Sequence, residues 1–205
     1  MKTGGMVQYK YLFLKIEKGM IKIEHLQTRI FEEYNTIEQM NNFPSTRYQG
    51  SKLKIVDWIE DNIKDLNFES AMDVFGGTGT IAYMLKANGK KVIYNDILKF
   101  NSIIGKAIIE NNDTILEERE IEQLLNINES YHYQTIIEDN FKDIFYLEEE
   151  NRWLDIVVTN IRNMTNHKKQ AIAWFALFQA CIIKRPYNLF HRANLYMRTQ
   201  VVKRS

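Results

Sequence analysis

The chain has 205 residues and a mass of 24.4 kDa, enough for one ordinary domain with at most a small appendage. Its 45% hydrophobic and 26% charged residues exclude wholesale disorder, and its single cysteine, Cys181, excludes a disulfide framework or a cysteine-rich zinc site. The formal net charge of +1 announces neither nucleic acid nor membrane, and the only two prolines, Pro44 and Pro186, are too far apart for any motif with adjacent prolines.

Residues 1–20 read as a strand-like or poorly ordered lead-in. Basic residues and a Tyr-Leu-Phe-Leu run occur early, but Lys15, Glu17 and Lys18 interrupt the run before it reaches the apolar core of a secretory signal. No stretch approaches the roughly 18 apolar residues of a membrane span, so a cytoplasmic protein without membrane attachment is expected. Apolar residues at Ile23, Leu26, Ile30, Phe31, Tyr34 and Ile37 predict a helix over Ile21–Met40. Asn41–Arg47 is a loop, and Ser51 stands as the N-cap of an amphipathic helix carrying Leu53, Val56, Ile59 and Ile63.

Ala71–Phe75 predicts a short strand that runs straight into Gly76-Gly77-Thr78-Gly79. A helix over Thr80–Asn88 follows, with Gly89 placed as its C′ residue. Val92–Tyr94 is the next strand and ends at Asn95-Asp96, after which a helix is expected over Leu98–Asn111. An acidic helical region follows, then a third strand candidate at Leu154–Thr159 and a strongly apolar helix at Lys168–Lys184.

The near-neutral total conceals a dipolar chain. Glu110–Glu150 holds 13 acidic residues against two basic ones, whereas Lys184–Ser205 holds six basic residues and no acid. Ile115, Leu116, Ile121, Leu124 and Leu125 within the acidic block have helical spacing, so its acids are read as a solvated helix face. The basic tail is interleaved with Tyr187, Phe190, His191 and Tyr196, a mixture suited to DNA phosphates and to an ordinary solvated surface alike.

Asp73–Asp96 forms a unit of strand, glycine turn, helix, strand and acid. Glycines let the backbone turn and let a ligand approach closely, the helix N-terminus offers free N–H groups, and Asp96 can accept hydrogen bonds from two ribose hydroxyls. Gly77-x-Gly79-x-x-Ala82, with the acid 17 residues beyond Gly79, satisfies the dinucleotide fingerprint. This unit alone suits NAD and S-adenosylmethionine equally.

The segment upstream separates them. Phe43-Pro44-Ser45-Thr46-Arg47-Tyr48-Gln49-Gly50-Ser51-Lys52 resembles the first motif of the DNA adenine methyltransferases, the group that includes DNA adenine methylase. Asp73-Val74-Phe75-Gly76-Gly77-Thr78-Gly79 is similar to their cofactor loop, and Asn95-Asp96-Ile97 to their ribose-binding segment. Lys184-Arg185-Pro186-Tyr187-Asn188-Leu189-Phe190-His191-Arg192-Ala193-Asn194-Leu195 is similar to a run of restriction-modification members in the region associated with target DNA. The resemblance implies an α/β, Rossmann-like, S-adenosylmethionine-dependent fold that is incomplete and carries a helical insertion. It divides the chain into a lead-in and helix (1–42), a cofactor-binding α/β region with the acidic insertion (43–165), and the start of a target-recognition region (166–205).

By the same resemblance Tyr48, Gly50, Ser51 and Lys52 border the cofactor, with Lys52 the partner of its carboxylate. Asp73 lies beside its amino group, Phe75, Gly76, Gly77 and Gly79 admit its methionine and adenosine parts, and Asp96 binds its ribose. Lys184, Arg185, Asn188, His191, Arg192 and Arg198 are the expected contacts to double-stranded DNA. The implied activity is methyl transfer to the exocyclic amine of adenine. No catalytic residue is assigned, because the family's Asp/Asn-Pro-Pro-Tyr/Phe motif cannot be written with two isolated prolines. Asp155–Asn160 imitates the strand that leads to that motif, but Ile161-Arg162 follows, so Asn160 is read as structural.

The expectation is therefore an N-terminal part of a longer enzyme with an open sheet edge, completed by a C-terminal complementary polypeptide or accompanied by a cognate restriction endonuclease. The rival readings are a cofactor- or DNA-binding module without catalysis and a NAD-dependent oxidoreductase. His25, His132, His167 and His191 show no metal-ligand spacing, so no metal is expected, and Cys181 sits in an apolar helix as a buried thiol.

Overall fold

The computed structural model describes residues 8–17, 20–29, 43 and 50–184. Strands β1 (Gln8–Glu17) and β2 (Met20–Arg29) form an antiparallel hairpin in which Gln8 opposes Arg29 and Glu17 opposes Met20. The strand-like lead-in thus agrees with β1, but the helix expected over Ile21–Met40 is overturned over its first half. Ile21 and Ile23 alternate with Lys22 and Glu24, a period of two with β-branched residues. The remainder of that expected helix lies outside the described residues.

A single 3₁₀ turn, Lys52–Ile55, runs into helix α1 (Val56–Ile63), and Ser51 caps it by accepting a 3.4 Å bond from Leu53 N–H. Then come β3 (Ser70–Asp73), α2 (Thr80–Ala87) and β4 (Lys91–Tyr94), with β3 and β4 paired in parallel through Ser70–Lys91 to Asp73–Tyr94. Gly89 takes a left-handed φ of +71° after α2, as a C′ residue does. Helix α3 (Lys99–Ile104) continues as a π-helical stretch, Gly105–Glu110. Helices α4 (Glu118–Leu125), α5 (Ile136–Asn140), α6 (Glu148–Arg162) and α7 (His167–Lys184) complete a mixed α/β chain with a small parallel sheet.

The strand expected at Leu154–Thr159 is the middle of α6. Its β-branched run is outweighed by Leu154, Val157 and Ile161, which bury one helical stripe against α4 and α7. Two polar residues lock this arrangement. The buried Asp155 accepts the N–H groups of Ile137 and Glu138 at 2.9–3.0 Å, closing the start of α5. Asn160 donates to the carbonyls of Leu124 and Asn126 at 2.9 and 2.8 Å and accepts from the Tyr133 hydroxyl at 2.7 Å, so it has the structural role expected of it. The acidic block likewise forms helix faces: Glu120 holds Lys169 at 2.6 Å and Glu138 holds Arg152 at 2.6 Å.

Helix α7 is apolar almost all round because it serves two cores. Ala171 and Phe175 join Ala82, Met84, Ile104 and Ile108 beneath the sheet, while Ala173, Ala176, Leu177 and Ala180 pack on α4 and α6. Among the described residues only one face of the sheet is covered by helices. Ala71, Val92 and Tyr94 pack toward the helices, whereas Met72 and Ile93 on the other face are more than half exposed. Among the described residues β3 and β4 pair only with each other, which leaves each with a free edge.

Candidate cofactor site

The glycine loop leaves β3 at Asp73 and enters α2 at Thr80. It is held closed by a ladder across the two strand ends: Asn95 N–H donates to Asp73 O at 2.9 Å and Gly76 N–H to Asn95 O at 3.0 Å. The Asn95 side chain adds a 2.8 Å bond to Val74 O. Gly77 and Gly79 have φ of +54° and +80°, the left-handed region that L side chains resist. Gly79 thereby turns the chain into α2, where its carbonyl accepts from Tyr83 N–H at 2.7 Å.

Asp96 closes the loop from the opposite side. Its Oδ2 accepts from Gly77 N–H at 2.8 Å and its Oδ1 from Leu98 N–H at 2.9 Å. Partial burial pushes this carboxyl up, but the bonds from Leu98, Asn101 and Gly77 outweigh it and hold the group below the usual carboxylate range. Asp96 therefore presents a charged carboxylate whose remaining lone pairs can accept hydroxyl donors.

Asp73 is the opposite case. Burial raises its carboxyl above the ordinary value, against the opposing pull of Lys52 and of the Ala82 and Phe75 N–H groups. Its Oδ2 is shielded from solvent and has no hydrogen-bond partner among the described residues. A carboxylate oxygen held out of water without a donor is costly, and a cationic N–H group is the ligand chemistry that relieves it. Lys52 Nζ reaches the carbonyl of Phe75 at 3.4 Å. Phe75 itself is 81% exposed beside the loop.

The structure thus brings together Lys52, Asp73, Phe75, Gly76, Gly77, Gly79 and Asp96 of the expected cofactor residues. Gly50 lies in the turn ahead of Ser51 with φ +87°, while Tyr48 lies outside the described residues. Of the expected DNA contacts, Lys184 ends α7, and Arg185, Asn188, His191, Arg192 and Arg198 lie outside the described residues. Sequence reasoning missed Tyr94, whose hydroxyl reaches Gly77 O at 2.5 Å and Asn101 O at 3.1 Å. The only sequence signal was a polar-tipped aromatic at the end of an otherwise apolar strand.

A parallel strand pair with a glycine loop at the carboxyl end of one strand and an acid at the end of the next defines a nucleoside-cofactor type of α/β protein. The relatives make the class specific. The model of the D12 class N6 adenine-specific DNA methyltransferase family matches residues 48–202. The chain belongs to this family.

Among curated relatives it is 34% identical over 153 residues to Type II methyltransferase M2.HphI of Haemophilus parahaemolyticus, covering 74% of this chain and 44% of that protein. It is 30% identical over 128 residues to Type II methyltransferase M.NlaIII of Neisseria lactamica, covering 58% and 38% respectively. With Type II methyltransferase M.FokI of Planomicrobium okeanokoites it shares 36% identity over 105 residues, covering 49% of this chain and 16% of that protein. The chain spans less than half the length of each. No solved structure matches it.

Proposed function

We propose that this chain is the cofactor-holding part of an adenine-specific DNA methyltransferase of the restriction-modification type, built on a Rossmann-like sheet. The observation that carries the reading is the Asp73–Gly77–Asp96 arrangement, with one carboxylate oxygen, Asp73 Oδ2, lacking a donor among the described residues and the Asp96 carboxylate charged and partly exposed. S-adenosylmethionine fits it: the ammonium of its methionine part goes to Asp73, its carboxylate to Lys52, and its ribose to Asp96. Gly77 and Gly79 keep side chains out of its path, and Gly76 lets the loop close over the Tyr94 ring behind it. The bound cofactor supplies a sulfonium methyl group for transfer to an exocyclic amine.

The domain boundaries follow the same reading: a lead-in over 1–42, the cofactor region over 43–165, and the start of target recognition over 166–205, in a cytoplasmic protein. Double-stranded DNA is the proposed substrate and the basic run from Lys184 to Arg204 its electrostatic contact, which predicts affinity that falls steeply with salt. The 205 residues hold no Pro-Pro-aromatic motif of the kind that grips a flipped adenine. In this reading the motif is supplied by a C-terminal part, whether of a longer chain or of a complementary polypeptide. Among the described residues, the exposed sheet face at Met72 and Ile93 and the unpaired strand edges support such a part, because parallel sheets are normally covered on both faces.

Calorimetry with S-adenosylmethionine and NAD side by side tests the cofactor. Binding of S-adenosylmethionine alone is expected, and binding of NAD alone would refute the reading. Tritiated methyl transfer to DNA is expected only after the downstream half is added, and transfer by the chain alone would refute the need for a partner.

A further inference from the structure

Gly76 and Gly105 are the two glycines near the site whose presence backbone freedom does not explain. Neither has a positive φ, unlike Gly50, Gly77, Gly79 and Gly89. Both face the same object. A Cβ at Gly76 would run into the Cδ2–Cε2 edge of the Tyr94 ring, and a Cβ at Gly105 would run into the Cδ1–Cε1 edge. The ring is therefore wedged edge to edge between the glycine loop and the first residue of the π-helical stretch. A phenol carries a single proton, and the shorter contact assigns it to Gly77 O, with Asn101 O further off at 3.1 Å.

We propose that Tyr94 is the positioning residue of the cofactor loop, pinning Gly76 and Gly77 against α3 and the π stretch so that the loop is set before ligand arrives. It touches no reacting atom. Gly77 sends its N–H to Asp96 and receives the Tyr94 hydroxyl on its carbonyl, so one peptide unit on each side of this residue is fixed by the end of β4 or the two residues after it. Tyr94 adds a brace to the loop beside the bonds that Asn95 and Asp96 already make to it. The π stretch begins at Gly105, where any side chain would strike the ring. This inference rests on the S-adenosylmethionine reading for its ligand, but the loop placement stands independently of it.

The test uses the full 205-residue chain with Tyr94→Phe, Gly105→Ala, Tyr94→Ala and Gly105→Ala/Tyr94→Ala, and with Asn160→Ala as a control in the distant helical layer. Tyr94→Phe keeps the wedge and loses one hydrogen bond, so S-adenosylmethionine should bind about fivefold more weakly by calorimetry as the set loop becomes less populated. Amide exchange at Gly76–Gly79 should accelerate in the absence of any ligand. Asn160→Ala should do neither, even where it lowers the melting temperature more. Gly105→Ala should cost stability when Tyr94 is present and little when it is already Ala, a coupling that independent structural roles would not show.

Unchanged exchange at 76–79 and unchanged affinity in Tyr94→Phe would overturn the proposal, as would equal weakening by Asn160→Ala. Faster loop exchange in Tyr94→Phe, combined with no binding of S-adenosylmethionine by the parent chain, would keep the pin and remove the cofactor reading.

Discussion

Asp73→Asn should separate stability from binding, moving them in opposite directions. In the free protein the ionised Asp73 is a burden, because burial raises its carboxyl above the unfolded value and Oδ2 has no donor. A group whose folded pKa is raised favours the folded state when protonated. That contribution is complete below the unfolded value near 3.8 and is lost as pH rises through the folded value. At pH 7 the neutral amide removes this cost while keeping one oxygen for the Ala82 and Phe75 N–H groups, so the melting temperature should hold or rise.

The advantage over the parent should shrink as the pH of the melt is lowered toward 3.8. Binding behaves in the reverse sense. A hydrogen bond between an ammonium and a carboxylate is worth roughly 1.5–3 kcal/mol, so its loss should weaken S-adenosylmethionine by about 10- to 150-fold. Calorimetry and thermal melts on the same samples read both quantities. Parent-like affinity in Asp73→Asn, or a sharp fall in its melting temperature at pH 7, would refute the reasoning.

Lys86→Met should be strongly destabilising, because Lys86 Nζ gathers the carbonyls of Ile108, Ile109 and Asn111 at 3.0, 2.8 and 2.6 Å at the end of the π stretch. Orphaning them should cost about 1–3 kcal/mol in a denaturant titration, and an unchanged midpoint would contradict the assignment. Asn160→Ala should lose a similar amount through the Leu124 and Asn126 carbonyls, yet leave cofactor affinity intact; a large loss of affinity would give Asn160 a functional role. Burial pushes the Cys181 thiol up to about 11, so at pH 8 only about one molecule in a thousand carries the thiolate. The structure leaves Cys181 partly rather than fully buried, against the expectation of a buried thiol; native Cys181 should still react with a thiol reagent far more slowly than in urea, and comparable rates would show that its surroundings do not suppress the thiolate.

The legible parts of this chain are those governed by neighbours in sequence. The short strands at Ser70 and Lys91, the left-handed glycines at 77, 79 and 89, and the Ser51 cap each follow from a few adjacent residues, and the structure has them within a residue or two. Lys52, Asp73 and Asp96 could be brought to one place because the family pattern fixes their order, and the strand pairing then aligns them. The illegible parts are decided at a distance. Leu154–Thr159 reads as a strand until Asp155 finds the α5 N–H groups and Asn160 finds the end of α4, bonds that the helix makes together. Ile21 to Arg29 carried two patterns at once, and pairing with β1 chose between them.

Tyr94 was hidden for the same reason, in a more consequential place. Its hydroxyl, Gly76 and Gly105 are each unremarkable alone, and their meaning lies in a three-way fit that no spacing rule expresses. Glycine in a cofactor loop is usually assigned to ligand access or to backbone freedom. Here those two explanations cover Gly77 and Gly79, whereas Gly76 is a glycine because an aromatic ring from the next strand occupies the space its side chain would need. The loop's shape is thus set as much from behind, by β4, as from the ligand side. A search for such sites by glycine spacing alone will find the loop while missing the residue that holds it.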